Sequence, residues 1–255
     1  MLEARGLTKY YSGIAAVKNV SFQVRPGEIL GYLGPNGSGK TTTVNMIIGL
    51  VEPSRGEVLF DGRPIAADPV AFRRRVGYVP EEPNLYPFLS GREYLQLVGR
   101  LRGMRADRLE RKLASLLDLF GLANDAEQSI GSYSKGMKQK VLISAALLDD
   151  PDLLIFDEPL SGLDVTTAMV FRHLVQALAS RGKIILYSSH VLEVVEKICS
   201  KVIVLYRGQV VADDAVDRLR DVMALGSLEE VFGQLVEQRD PEGTAQEIAE
   251  VVTGQ

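Results

Sequence analysis

Apolar residues recur along this chain with two different periods, and the change from one to the other divides it. In the first third the period is two. Val20, Phe22 and Val24 alternate with polar residues, Pro26-Gly27 turns the chain, and Glu57-Val58-Leu59-Phe60 runs into the turn signal Asp61-Gly62. Arg75-Val76-Gly77-Tyr78-Val79 reads as a further short strand. From about Leu85 to Leu148 the spacing becomes helical, with Leu95, Val98 and Leu101, then Leu109, Leu113, Leu116 and Leu117 at helix intervals. Continuous apolar runs return at Leu153–Phe156, Ile184–Tyr187 and Val202–Tyr206, with a helix-length stretch between each pair. Such runs suit strands buried on both faces, and their alternation with helices predicts a parallel sheet. Arg207-Gly208 is placed to turn Val202–Tyr206 back into Gln209–Ala212 as a hairpin. After Asp213 the chain is charged and helix-prone, and its last residues are expected to form a loosely held tail.

Composition narrows this only a little. The 255 residues suit one large α/β domain with an inserted subdomain, and 46% hydrophobic with 24% charged residues is ordinary for a soluble globular protein. A formal charge of −4 gives no support for a nucleic-acid partner. The one cysteine, Cys199, precludes an intrachain disulfide, suits a reducing cytosol, and is expected to be a buried structural thiol. No N-terminal stretch has signal-peptide character, and the apolar runs fall short of the ~20 residues that span a bilayer. The chain is expected not to cross a membrane by itself.

The chemistry begins at Gly34-Pro35-Asn36-Gly37-Ser38-Gly39-Lys40-Thr41. This run lies between the apolar Ile29–Leu33 and a helix-like stretch starting at Thr42, giving strand, glycine-rich loop, helix with the spacing G-x-x-x-x-G-K-T. Glycines let backbone N–H groups converge on an anion, and the helix N-terminus adds partial positive charge. Lys40 is in reach of β- and γ-phosphates, the Thr41 hydroxyl of a Mg²⁺ ion, and Thr42 of the loop's mouth. An ordinary Gly/Pro/Asn turn accounts for the glycines but not for the Lys-Thr after them. The loop predicts a nucleoside triphosphate site.

A second group of residues points to the same place. Leu153-Leu154-Ile155-Phe156 ends in Asp157-Glu158, with Pro159 marking a turn. Ligands of open α/β sheets bind beyond the carboxyl ends of the strands, so both acids are placed near the phosphates. Asp157 suits Mg²⁺, and Glu158 is placed to take a proton from an attacking water. The competing reading is a strand capped by a polar turn.

Tyr133-Ser134-Lys135-Gly136-Met137-Lys138-Gln139-Lys140 precedes a helical pattern over Val141–Leu148, and Ser161-Gly162-Leu163-Asp164 and Ser188-Ser189-His190 follow in order. With these motifs the chain resembles the ATP-binding subunit of ABC transporters from about Leu2 to about Val211. Tyr78-Val79-Pro80-Glu81-Glu82-Pro83 and Ser134–Met137 are similar to the branch serving ABC-2-type exporters. The resemblance implies an α/β fold: a P-loop NTPase core with a mostly parallel sheet, an N-terminal antiparallel β subdomain and an inserted α-helical subdomain. Residues 1–212 would be the ATPase domain, with the helical insert at about 85–148, and 213–255 a helical extension. It also implies Glu158 as general base, and His190 on the γ-phosphate and attacking water. Tyr11, or Tyr10 beside it, would stack on adenine, while His173 on the amphipathic Val170–Leu178 stretch would be structural. ATP and Mg²⁺ are the implied cofactors. Two chains, alike or different, would pair head to tail, so that Ser134 and Gly136 close over the partner's phosphate loop with Asp164 along the interface. A separate integral-membrane permease would hold the pair at the inner face of the cell membrane.

Two positions depart from the family pattern. Its usual Gln falls on Glu81, or on Glu82 if the alignment slips by one. Glutamate keeps an oxygen for Mg²⁺ but adds negative charge beside a polyphosphate. The signature, usually Leu-Ser-Gly-Gly-Gln, is Tyr-Ser-Lys-Gly-Met here, with its helix expected to begin near Lys138. Three other readings stay open: a soluble ABC-type ATPase outside transport, a regulatory module that binds ATP without turnover, and another P-loop enzyme such as a kinase. The basic run Arg100, Arg102, Arg105, Arg108, Arg111 and Lys112 reads as a solvated helix face, or with the Pro83–Phe88 loop as part of a cleft for a permease helix.

Overall fold

In the computed structural model, described for residues 1–189 and 192–223 with Gly233 and Glu250, the chain opens with strands on an antiparallel sheet. They are β1 (Leu2–Tyr11) and β2 (Ile14–Val24), then, after β3 (Ile29–Leu33) and helix α1 (Lys40–Ile47), β4 (Arg55–Phe60) and the short β5 (Arg63–Pro64). The order is β2-β1-β4-β5. Helix α2 (Pro69–Arg74) leads to β6 (Val76–Val79), and three helices follow: α3 (Gly91–Leu101), α4 (Ala106–Leu119) and α5 (Lys135–Leu147). The chain then alternates β7 (Leu153–Asp157), α6 (Val165–Ser180), β8 (Ile184–Ser188), α7 (Leu192–Ile198) and β9 (Lys201–Tyr206), and closes with β10 (Gln209–Ala215) and α8 (Val216–Met223). The second sheet has the order β10-β9-β3-β8-β7-β6 and is parallel except for β10.

The unbroken apolar runs have a simple cause. Successive side chains on a strand point to opposite faces, and here each face meets a different core. Leu153 and Ile155 of β7, Ile184 and Leu186 of β8, and Ile203 and Leu205 of β9 pack with α1 and the antiparallel sheet. Their neighbours Leu154, Phe156, Ile185, Tyr187, Val202 and Val204 pack with the helices on the other side. The parallel sheet is therefore the middle layer, and its carboxyl ends are held from both faces. Gly31 on β3 belongs to this fit, since a Cβ there would lie 2.7 Å from Val195 on α7. Cys199 is buried at the end of α7, where burial pushes its thiol pKa well up, as a structural thiol should be.

Residues 85–148 hold three helices separated by irregular stretches, and two expected element boundaries need correction. Residues 80–89 are irregular, and α3 starts where Ser90 and Glu93 cap each other, Ser90 N–H donating to Glu93 at 2.8 Å and Glu93 N–H to the Ser90 hydroxyl at 3.1 Å. A second irregular stretch with short 3-10 turns separates α4 from α5, because Gly121 turns at φ 68° and ends α4. The signature helix begins at Lys135 rather than near Lys138, because the Ser134 hydroxyl accepts the Met137 N–H at 3.2 Å and caps it. The final hairpin strand runs to Ala215 instead of Ala212, pairing as far as Lys201. Beyond α8 the expected extension and tail lie outside the described residues, apart from Gly233 and Glu250.

Candidate functional site

Three segments that lie far apart in sequence meet at the carboxyl edge of the parallel sheet. They are the β3–α1 loop, the end of β6 and the end of β7. Between them lies a cavity of about 700 Å³ lined by Gly34–Gly37, Gly39–Thr42, Glu81, Asp157, Glu158 and Ser189, with Tyr11, Ala16 and Leu192 at its sides. That volume is ordinary for a small-molecule site. Parallel pairing of β7 with β6 and β8 sets Asp157 opposite Ser188 and brings the segment after Val79 alongside.

The β3–α1 loop is built to present backbone donors. Gly37 and Gly39 sit at φ 78° and 103°, and a Cβ on Gly39 would lie 2.6 Å from the Ala16 carbonyl. Among the described residues, no backbone carbonyl accepts the N–H groups of Gly37, Gly39, Lys40 or Thr41. Those of Gly39, Lys40 and Thr41 are the orphan donors of a helix start, and all four residues line the cavity. Lys40 Nζ lies across them, donating to the carbonyls of Gly34 at 2.6 Å and Pro35 at 3.2 Å. Partial burial lowers its pKa, opposed by the charges of Glu158, Asp157 and Glu81 in that order. Ser38 does not line the cavity, and its buried hydroxyl has no hydrogen-bond partner among the described residues.

Across from the loop stand the acids. Asp157 is 3% exposed, and burial raises its pKa. The Ser188 hydroxyl works against that rise, and the negative charges of Glu81 and Glu158 add to it. Tyr78 feels the same field: burial first, then Asp157 and Glu81, push its phenol up to about 12. Glu158 has φ 48°, a left-handed backbone that a non-glycine residue rarely adopts, and its N–H donates to Ser188 at 3.0 Å. Such a conformation costs ~1–3 kcal/mol and persists only where its surroundings enforce it. The Ser189 hydroxyl donates to Glu158 Oε2 at 3.2 Å. Strain of this kind concentrates at working residues.

Apart from Ser38, which lies off the cavity wall, the site residues read from sequence divide into three groups. Tyr11, Gly34, Pro35, Asn36, Gly37, Gly39, Lys40, Thr41, Thr42, Glu81, Asp157 and Glu158 all line the cavity. Tyr10 and Glu82, the competing choices, do not. Ser134, Gly136 and Asp164 stand elsewhere, on the face formed by α5 and the loop before α6. His190 lies outside the described residues, although Ser189 and Leu192 around it line the cavity. His173 is exposed on α6. Sequence reading missed three lining residues. Ser189 was signalled by adjacency to His190, whereas Ala16 and Leu192 carry no chemical signal at all.

The face with Ser134 is tightly fitted to the loop that follows Glu158. Lys135 Nζ donates to the Ser161 hydroxyl at 2.6 Å, and the buried Gln139 amide donates to the Pro159 carbonyl at 3.1 Å. A Cβ on Gly136 would lie 2.5 Å from the Gly162 carbonyl. Gly136→Ala is therefore expected to shift the start of α5 off this loop, lowering ATP turnover by ~10-fold or more. Fluorescent-ATP titration of the isolated chain should change little. A variant with full turnover would show that the close approach is unimportant.

Residues 17–161 match the family model described as ABC transporter. The chain is 38% identical over 220 residues to the ABC transporter ATP-binding protein NatA of Bacillus subtilis (strain 168), across 86% of this chain and 89% of that one. The chain belongs to the ABC transporter family. It is an ATP-binding, ATP-hydrolysing subunit of that family. It is also 36% identical to the Nod factor export ATP-binding protein I of Burkholderia orbicola (strain AU 1054), over 91% of this chain and 76% of that one. A solved ATP-binding subunit of an ABC transporter superposes with a TM-score of 0.87 at 36% identity, covering 92% and 99% of the two chains. A dimeric ATP-binding cassette in a post-hydrolysis state with ADP and Pi superposes at 0.78 with 28% identity, covering 84% and 98%. In this ABC ATPase the matched segment takes in the phosphate loop, Asp157 at the end of β7 and Glu158 after it, and ends at Ser161. Among its described residues no helix is long and apolar enough to cross a membrane.

Proposed function

We propose that this ATPase pairs with a second ATPase subunit around two ATP molecules and drives a separate integral-membrane exporter from the cytoplasmic face. The observation that carries this reading is the cavity itself, where the phosphate loop, with N–H groups that no backbone carbonyl accepts among the described residues, lines one space of nucleotide size together with Asp157 and Glu158. Glu158 takes the proton from the attacking water, with Ser189 holding the carboxylate in place. Lys40 leaves the loop carbonyls for the β- and γ-phosphates, Tyr11 lies against the base, and His190 contacts the γ-phosphate. The Thr41 hydroxyl, Asp157 and Glu81 are hard oxygen donors of the kind Mg²⁺ prefers. Mg²⁺ would neutralise phosphate charge there.

The position of Ser134, Gly136 and Asp164 away from the cavity in their own chain supports completion of the site by a second copy or a related subunit. Residues 85–148 are then the subdomain that meets the permease. Tyr86 and Phe88 support this, being 61% and 93% exposed on the loop beyond Glu81. The basic run gives it less support, since most of it is engaged within the chain. Arg102 donates to the Val76 carbonyl at 2.9 Å and Lys112 to the Leu148 carbonyl at 3.0 Å, while Arg105 and Arg111 pair with Asp107. The names of relatives that serve Nod factor export and linearmycin resistance favour an exporter.

The test is co-purification from native membranes with a multi-span protein, together with phosphate release measured with and without those membranes. Tyr86→Glu and Phe88→Glu are expected to cut the co-purified permease by ~10-fold or more, as loss of an apolar anchor does. ATP binding by the isolated chain should stay nearly unchanged. Recovery of the chain wholly outside the membrane fraction would favour a soluble ABC-type ATPase.

A further inference from the structure

Gln139 is fully buried in the first half of α5, between the half-buried Lys138 and Lys140. Its Nε2 donates to the Pro159 carbonyl at 3.1 Å, while its Oε1 has no hydrogen-bond partner among the described residues. One bond is made and one polar atom is left over, so the amide contributes little net stability. Packing does not call for a polar side chain here either.

The acceptor explains it better. Pro159 is buried and directly follows Glu158. Among the described residues no backbone N–H donates to its carbonyl, and a buried carbonyl needs a donor. Facing that oxygen, the Gln139 amide must present its nitrogen, which fixes its orientation. Glu158 is held in left-handed backbone at φ 48°, with its N–H on the Ser188 carbonyl at 3.0 Å and its own carbonyl accepting the Ser161 N–H at 3.2 Å. Those bonds tie the residue to β8 and close the turn on itself. The Gln139 bond ties the other side of the turn to α5. Lys135 and Gly136, one helical turn earlier on the same face, meet Ser161 and Gly162 further along the segment. Gln139 acts next to Glu158 itself, yet it does not line the cavity. We infer that Gln139 is a positioning residue for hydrolysis, clamping the Glu158–Pro159 turn from α5 so that the carboxylate keeps its place at the attacking water. The inference rests on Glu158 being the base.

Gln139→Met keeps the length of the side chain and removes both polar atoms. In phosphate release by the full chain it is expected to lower kcat by ~10-fold or more, since small misplacements of a reacting group are costly, and to leave KM for ATP within about twofold. Thermal unfolding should shift by no more than a few degrees. Gln139→Leu, also apolar, is read in the same way if the Met variant does not fold. The deciding measurement is single-turnover hydrolysis in the Glu158→Gln background. There Gln139→Met should lower the residual rate by less than about twofold, because the clamp has no base left to position. A normal kcat in both apolar variants, or a loss that multiplies in full on Glu158→Gln, would overturn the inference. So would a loss of kcat matched by equal losses of ATP binding and thermal stability. Near-normal hydrolysis by Glu158→Gln alone would instead refute the reading of the base, whatever Gln139 does.

Discussion

Glu158→Gln is expected to hold ATP and almost cease to hydrolyse it, with turnover lower by ~10²–10⁴-fold, the usual contribution of a positioned base. The amide matches the carboxylate in size and still accepts the Ser189 hydroxyl, which donates to Glu158 Oε2 at 3.2 Å. It cannot take a proton from water. Its strained backbone is unaffected, because φ 48° is fixed by the N–H bond to Ser188 and the packing of β7, not by the head group. One of the three carboxylates facing the phosphates is neutralised, so affinity for ATP should rise. Unable to reach the products, the variant should accumulate as an ATP-dependent dimer on size exclusion. Ser189→Ala separates position from chemistry. It leaves the base but loosens it, and is expected to lower turnover by only about tenfold (~1.4 kcal/mol in barrier). Near-normal phosphate release by Glu158→Gln would remove Glu158 from the mechanism.

The parts of this site that could be read in the sequence are those whose residue types are set by local chemistry. The phosphate loop needs glycines where φ is positive and a lysine beside the helix start, so strand, loop and helix are all legible in the residues themselves. β7 is equally plain, because a strand with a core on each face must be apolar at every position until it reaches the edge, where Asp157 begins. Features that depend on contact between distant segments leave no such trace. Ala16 lines the cavity only because the start of β2 lies against the phosphate loop, its carbonyl 2.6 Å from where a Gly39 Cβ would be. The left-handed backbone of Glu158 is imposed by the neighbouring strand. The bond from Lys135 to Ser161 is not foreseeable from either segment. Helical spacing overran the real helices at 85–90 and 120–134 because leucines in capped loops pack into the same core as those on α3, α4 and α5. Leu122 and Ile130, both 1% exposed, lie in such loops.

Lys40→Ala should lose binding as well as catalysis, which distinguishes it from Glu158→Gln. Its ammonium is the one positive side chain on the described cavity wall, set against Glu81, Asp157 and Glu158. Removing it takes away an attraction to the β- and γ-phosphates and leaves, among the described lining residues, only the loop N–H groups to set against the acids. The effect should therefore exceed that of deleting a typical ion-pair partner. ATP affinity is expected to fall by at least ~10²-fold (~2.7 kcal/mol), with no measurable turnover. In the absence of nucleotide the lysine bonds only to loop carbonyls, at 2.6 and 3.2 Å from Gly34 and Pro35, both reachable by water once the side chain is gone. Thermal unfolding without nucleotide should accordingly shift by no more than a few degrees. Stabilisation by added Mg·ATP, a mass-action effect of binding to the folded state, should largely disappear. An unfolding curve that still moves upward with ATP as in wild type would show that the triphosphate is held somewhere other than the β3–α1 loop.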